Sequence, residues 1–455
     1  MKQILLIFSL FILSLSASAQ LTHLVVETID GEAIKCRTAD IDRMVIPADV
    51  DSVTLITYSG EEKGWFGQEI VKMHVDQTAI PLVNYKVRCE NDYVFDFLRF
   101  TKYDPEDYSY TEVFNYAVAN ERRDWPNPIV IRLEDFSLGF NNKPTHNNPI
   151  IYSHNADFSS SKQDHLTGDS LVIWNVIPGD TLYYQILGFD ESTVIQQGWA
   201  AMQGRERMIY APSVDNIRDL GGWPTEDGGH LRYGCFFRGS KFQDAIKNYI
   251  SDEDIVRLRE LGILCELDLR GATEAYGGNY SEKYCRLGKD IPYVLIGHGC
   301  YSYMNAVKEY PDYIRYTWNL IRSYVLAHKP IYFNCSRGCD RAGTFAFLLE
   351  GVLGLSENNL NLDYEMSSFC GDAGFRSRNE VTIVPDYDFG GMVNYIKSLD
   401  GETLRDKFET FFVDICLISR EDIQALRDWM IDYSAPYNPY PHPAPEQESE
   451  EESEN

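Results

Sequence analysis

Basic residues are scarce: 41 Lys and Arg stand against 69 Asp and Glu, a formal charge of −28 over 455 residues. A field of that sign repels phosphate backbones, which argues against nucleic acid as a partner. Any anionic substrate must then be met by a positive pocket built against the global field. Cysteine is sparse too, ten in 455 residues, which is thin for a disulfide scaffold. No pair has the Cys-x-x-Cys spacing of a metal ribbon. Few bridges are expected, and Cys36, Cys89, Cys265 and Cys416 read as small buried apolar residues. After Leu15 there is no long apolar run, so no membrane-spanning helix is predicted. The remainder is ordinary, with 44% hydrophobic and 24% charged residues. That balance excludes a wholly disordered, collagenous or coiled-coil chain, and the length suggests roughly three domains.

Residues 1–19 have the pattern of a secretory leader. Lys2 is the positive start, Ile4–Leu15 the apolar run, and Ala17-Ser18-Ala19 the small-x-small cleavage signal before Gln20. No Cys follows the cleavage point, so no lipid anchor is indicated. An exported, periplasmic or secreted protein without stable membrane insertion is expected. Residues 20–80 read as a small β region. Residues 81–205 continue with short strand-like runs, among them Ile129-Val130-Ile131, Ser170–Trp174 and Thr181–Leu187, separated by Asn, Asp, Gly and Pro clusters. They carry no helical periodicity, and the spacing predicts an all-β sandwich with Trp174 and Tyr183 in its core. Val176–Leu187, with Pro178-Gly179-Asp180 before Tyr183-Tyr184, resembles the late strands of a fibronectin type III or immunoglobulin-like module.

From about 206 the texture becomes helix alternating with strand. Ser251 opens a helix that Gly262 closes, Ile263–Leu269 reads as a buried strand, and Ile314, Trp318, Ile321 and Val325 share a helix face. Pro330–Phe333 is a second strand, Thr344–Leu353 a buried helix, and Ser419 starts a last one. The expected fold is therefore multidomain: an N-terminal all-β sandwich, then an α/β domain over 206–433 whose central sheet contains parallel strands flanked by helices. Residues 434–455 are rich in Pro and Glu and are expected to be a disordered tail.

The informative stretch runs from Ile331 to Thr344, where Asn334-Cys335-Ser336-Arg337-Gly338-Cys339-Asp340-Arg341 joins a strand to a helix. Such a loop opens at the carboxyl edge of the sheet, and its successive amides with the helix N-terminus make an anion nest. Cys335 stands at its base, where that field favours a thiolate. Arg341 can fork two donors onto a bound oxyanion, and Ser336, Arg337, Gly338 and Cys339 would line it. Cys-x5-Arg alone is unspecific, since Cys370 and Arg376 repeat it; that copy lacks the strand and helix context and reads as chance.

With those residues in view, 210–433 resembles the cysteine-dependent tyrosine/dual-specificity phosphatases, most closely a bacterial branch with the loop His-Cys-x-x-Gly-x-Asp-Arg-[Ser/Thr]-Gly. Asn216-Ile217-Arg218-Asp219-Leu220-Gly221-Gly222, Tyr233-Gly234 through Phe237–Ser240, Asp268-Leu269-Arg270 with Glu274, and Leu360–Ser368 match its other elements in order. The resemblance implies phosphomonoester hydrolysis through a phosphocysteine on Cys335, with Arg341 holding phosphate oxygens and with no metal or cofactor. The proton donor stays open between Asp340, in the loop, and Asp268, from the neighbouring strand end. The substrate stays open between phosphotyrosine and a phosphoinositide or inositol phosphate, and a weakly catalytic phosphate-binding protein is the alternative. Two departures favour a slow enzyme: Asn334 replaces the family His and Ala342 the family hydroxyl, for which Thr344 is a partial stand-in. Cys339 either fills a loop position or forms a reversible disulfide with Cys335. Arg218, Arg238, Arg270 and Arg337 are candidates for a positive mouth, with structural pairing the simpler reading for Arg218 and Arg270. Tyr301, Tyr303, Tyr310, Tyr313 and Tyr316 read first as helix packing, with walls of the pocket as the alternative, and His298 and His328 read as isolated.

Overall fold

The computed structural model describes residues 20–47, 51–58, 60–98, 125–134, 147–205, 208–243, 249–276, 284–297, 301–370, 376–378 and 388–434. The leader at 1–19, the tail beyond 434, His298 and Cys300 lie outside them. The chain divides into two compact units, one of residues 1–87, 128–173 and 180–202, the other of 88–127, 174–179 and 203–455.

The first unit is rich in strands. Ala33–Arg37, Gln20–Thr28 and Ile70–Ala79 form one antiparallel sheet, and Ile41–Val45, Ser52–Thr57 and Glu62–Phe66 another. Leu24, Val26, Leu55 and Trp65 close a small core. The strand Ser52–Thr57 alternates half-buried and buried positions, the period-2 pattern of a sheet with one covered face. A five-stranded sheet runs in the order Lys162–His165, Pro149–Ser153, Thr181–Leu187, Val194–Gln203, Leu82–Arg88, and Ser170–Ile173 pairs with Ile129–Arg132.

The second unit is a mixed α/β domain. Its sheet runs Arg218–Asp219, Phe236–Ser240, Ile331–Cys335, Cys265–Gly271, Tyr293–Gly297, antiparallel at the first pairing and parallel at the other three. Ile331, Tyr332 and Phe333 are fully buried, as expected of a central parallel strand covered on both faces. The helices Pro311–Leu326, Arg341–Leu353 and Arg420–Met430 pack on it around one core containing Trp318, Phe345, Leu349 and Leu426. The helix Asp252–Glu260 starts where the sequence places it: the Ser251 hydroxyl accepts the Asp254 N–H at 3.2 Å. Among the described residues no helix is long and apolar enough to cross a membrane.

Three local expectations need correction. Asp92–Leu98 is a helix, not more strand. Seven residues show too few turns for periodicity to register, and the helix is held by burying Val94, Phe97 and Leu98 in the α/β core, Phe97 edge-on to Phe369 at 5.1 Å. Trp174 is not sandwich core: it is half-buried and stacks on Tyr210 at 3.6 Å in the second unit. The polar-looking helix Glu357–Met366 is buried from Leu360 onward, because its carboxylates Asp363 and Glu365 are neutralised by Arg218, Arg238 and Arg378.

Candidate active site

Cys335 ends its strand opposite Ser240, and the helix Arg341–Leu353 begins six residues later. The loop between them is held from behind. Asn216 Nδ2 donates to the Arg337 carbonyl at 3.4 Å, and Arg238 Nη2 to the Gly338 carbonyl at 2.9 Å. In a trans peptide the N–H points opposite its carbonyl. Turning these two carbonyls back into the protein therefore turns the Gly338 and Cys339 amides outward, which builds the anion nest. Gly338 has φ +72°, and a Cβ there would meet the Gly239 carbonyl carbon at 2.5 Å, so both conformation and space demand glycine. The helix start has no side-chain cap.

A buried ion network supports that backing. Arg218 Nε and Arg238 Nη1 both bond the Asp363 carboxylate, all three side chains being at most 2% exposed. Burial raises the Asp363 carboxyl, but the two guanidiniums outweigh it and hold it below the ordinary range. Arg270 bonds Asp268 with Nη2 at 2.6 Å and Nε at 2.9 Å. Arg218, Arg238 and Arg270 are thus structural, and of the four candidates for a positive mouth only Arg337 is exposed.

Cys335 is 2% exposed, at the foot of the loop. Arg341 reaches Glu274 through two bonds, Nη1 at 2.6 Å and Nη2 at 2.8 Å. Glu274 Oε1 also accepts the Ser336 hydroxyl, so one carboxylate draws the guanidinium across to the residue after Cys335. Burial acts to raise Glu274, but Arg341 and Ser336 override it and hold the carboxyl at about 2.

The two proton-donor candidates differ in surroundings. Asp268 is fully buried, and its oxygens take Arg270, the Arg270 N–H and the Tyr293 hydroxyl at 2.6 Å. Asp340 is part-exposed at the helix start. Its Oδ1 accepts the Tyr303 hydroxyl at 2.7 Å and Arg376 Nε at 2.8 Å. Tyr303 in turn meets the Tyr364 hydroxyl at 2.8 Å, and burial, Tyr364 and Asp340 keep its own hydroxyl protonated far above the usual range. The expected stand-in Thr344 accepts the Tyr303 N–H at 2.9 Å. Asn334, in the family His position, donates to the buried Glu266 at 3.0 Å.

Cys339 is fully buried and packs against Cys370. Burial and then Asp340 push its thiol up to about 12. The neighbour of Cys339 is therefore the cysteine of the motif set aside as chance, and the arginine of that motif, Arg376, bonds both Asp340 and Cys339. Sequence reasoning missed Arg376 at the site, and it placed Tyr303 only among tyrosines that wall the pocket or pack a helix, with packing preferred. The only signals were the repeated Cys-x5-Arg spacing and the tyrosine cluster, and neither says which loop they reach. Among the described residues no cysteine is bridged and no cluster of metal-ligating side chains occurs.

No curated protein matches the chain. Residues 209–432, a span that takes in the whole mixed sheet with its loop and flanking helices, match the tyrosine phosphatase family model.

Proposed function

We propose that the domain hydrolyses phosphomonoesters through a phosphocysteine on Cys335. The observation that carries this reading is the loop itself: a nucleophile at a parallel strand end, carbonyls of Arg337 and Gly338 turned inward, and Arg341 held across the mouth by Glu274. In the first step the Cys335 sulfur attacks phosphorus, the bond to the leaving oxygen breaks, and that oxygen takes a proton. Outward amides and Arg341 stabilise the charge on the equatorial oxygens. In the second, water attacks phosphorus, the S–P bond breaks, and the water's proton is taken up. Asp340 is the proton carrier in this scheme: Tyr303 and Arg376 bond its Oδ1, and Oδ2, which among the described residues accepts only the weak Cys339 thiol at 3.6 Å, exchanges the proton. Asp268 is committed to Arg270 and Tyr293 and serves as scaffold.

Phosphate release from an aryl phosphate, blocked by vanadate and lost in Cys335→Ser, is the expected result. Release that survives Cys335→Ser overturns the phosphocysteine. The alternative, a phosphate-recognition protein with little turnover, is favoured by Asn334 and Ala342 in place of the family His and hydroxyl. It predicts phospho-ligand binding with turnover unaltered by Cys335→Ser. We also propose export directed by residues 1–19, checked by whether the mature protein from the periplasm or medium begins at Gln20. A fibronectin type III-like role for the strand-rich front unit belongs with the same proposal.

A further inference from the structure

Cys335, Cys339 and Cys370 are all buried, yet they keep different company. Cys335 belongs to the main α/β core, whereas Cys339 packs against Cys370, among the described residues in a cluster of just those two. Cys370 follows the turn Ser367–Phe369 and donates its N–H to the Ser367 carbonyl at 3.2 Å. That turn and the loop share a tie, since Asn216 Nδ2 donates to the Ser367 hydroxyl at 3.1 Å and to the Arg337 carbonyl at 3.4 Å. From the chain just after Cys370, Arg376 donates to the Cys339 sulfur at 3.3 Å and to Asp340 at 2.8 Å. Both cysteines are therefore carried on backbone fixed by the same neighbours, and their thiols meet.

A thiol four residues from a nucleophilic cysteine is a hazard, because oxidation can join the two sulfurs and stop catalysis. We propose that Cys339 and Cys370 form a disulfide when the chain folds in an oxidising compartment, and that this bond keeps Cys335 a thiol by occupying the cysteine nearest to it in its own loop. The inference rests on the proposed export and on Cys335 as the nucleophile. A disulfide oxidant of the compartment supplies the oxidising equivalents. The Cys339 sulfur attacks it and expels one thiol; the Cys370 sulfur then attacks the mixed disulfide at Cys339 and expels the other. Two S–H bonds break and one S–S bond forms, and the oxidant takes up two electrons and two protons. Burial and Asp340 push the Cys339 thiol up to about 12, which leaves little thiolate in the folded protein, so the bond is made during folding and is slow to exchange afterwards. It also removes the S–H that Asp340 Oδ2 accepts at 3.6 Å, leaving that oxygen to proton transfer.

The full chain is produced in bacteria with an oxidising or a reducing cytosol. Free thiols are alkylated under denaturing conditions, linked peptides are mapped by mass spectrometry, and p-nitrophenyl phosphate hydrolysis is followed with and without dithiothreitol. The oxidised preparation is expected to link Cys339 to Cys370, to carry Cys335 alkylated, and to work at a rate that dithiothreitol does not change. Cys370→Ser should match the parent when made in the reducing host, which also reports an intact fold. Made in the oxidising host it should lose most of its activity, with Cys335 joined to Cys339, and dithiothreitol should restore it. Cys370→Ala serves in its place if the serine is not tolerated at so buried a position. Alkylated Cys339 and Cys370 in the oxidised parent, or a Cys335–Cys339 link there, overturns the bridge. An oxidised Cys370→Ser that keeps the parent's rate overturns the protection of Cys335. Absence of Cys335-dependent hydrolysis from both hosts overturns the phosphatase reading instead, and the peptide map reports the bridge independently of it.

Discussion

Glu274 holds Arg341 with both oxygens and Ser336 with one, so it decides where the guanidinium points. Glu274→Gln keeps the size but removes the charge-assisted fork. We expect kcat/KM for an aryl phosphate to fall about tenfold, with Arg341→Lys costing more because the bidentate geometry is lost altogether. Steady-state kinetics on both variants check this, and an unchanged Glu274→Gln value would show that the clamp is incidental. Asp340 is tested by leaving-group dependence. Asp340→Asn should slow an alkyl phosphate, whose leaving oxygen needs a proton, about a hundredfold, and p-nitrophenyl phosphate far less. Arg376→Ala and Tyr303→Phe should follow the same pattern to a smaller degree. Equal losses on both esters would reduce all three residues to structural parts.

The strand Cys265–Gly271 carries a buried carboxyl, Glu266, beside Asn334 under the loop. Burial, with Asp268 adding to it, lifts this carboxyl from 4.5 to about 8. The folded state therefore keeps a proton that the unfolded chain releases, and stability declines as pH rises from about 4.5 to about 8. Glu266→Gln still accepts from Asn334 and cannot ionise. Its unfolding midpoint should stay level across that window and exceed that of the parent at neutral pH by an amount on the order of a few kcal/mol. Urea unfolding at several pH values measures it, and parallel curves for the two proteins refute it. The same strand illustrates what was legible beforehand. Its burial was readable in part, because Cys265, Leu267 and Leu269 give one face an apolar lining. Of its polar members, Asp268 read as a candidate proton donor and Glu266 gave no signal, because sequence shows charge without showing the partner.

For the whole molecule, the α/β domain does not begin at its first recognisable motif. The helix Asp92–Leu98 lies more than a hundred positions upstream in the chain and buries Val94, Phe97 and Leu98 in that domain's core. A chain started at residue 206 should lose roughly 5 kcal/mol of burial from three such side chains. We expect it to unfold at lower urea than the full chain and to bind a hydrophobic dye in the folded baseline. Coincident unfolding curves would show the helix to be dispensable.

Local chemistry was sufficient to recognise Cys335, Arg341 and the strand–loop–helix that joins them. Strand burial, a serine cap, a glycine at positive φ and a helix N-terminus are all properties of neighbours in sequence. The partners of those residues were another matter. That Glu274 orients Arg341, that Arg376 and Tyr303 grip Asp340 and that Cys339 meets Cys370 all depend on segments far apart in the chain. Charge pairing and burial act through space with no fixed sequence separation, so only the packed domain settles which cation faces which anion and which is left for a substrate.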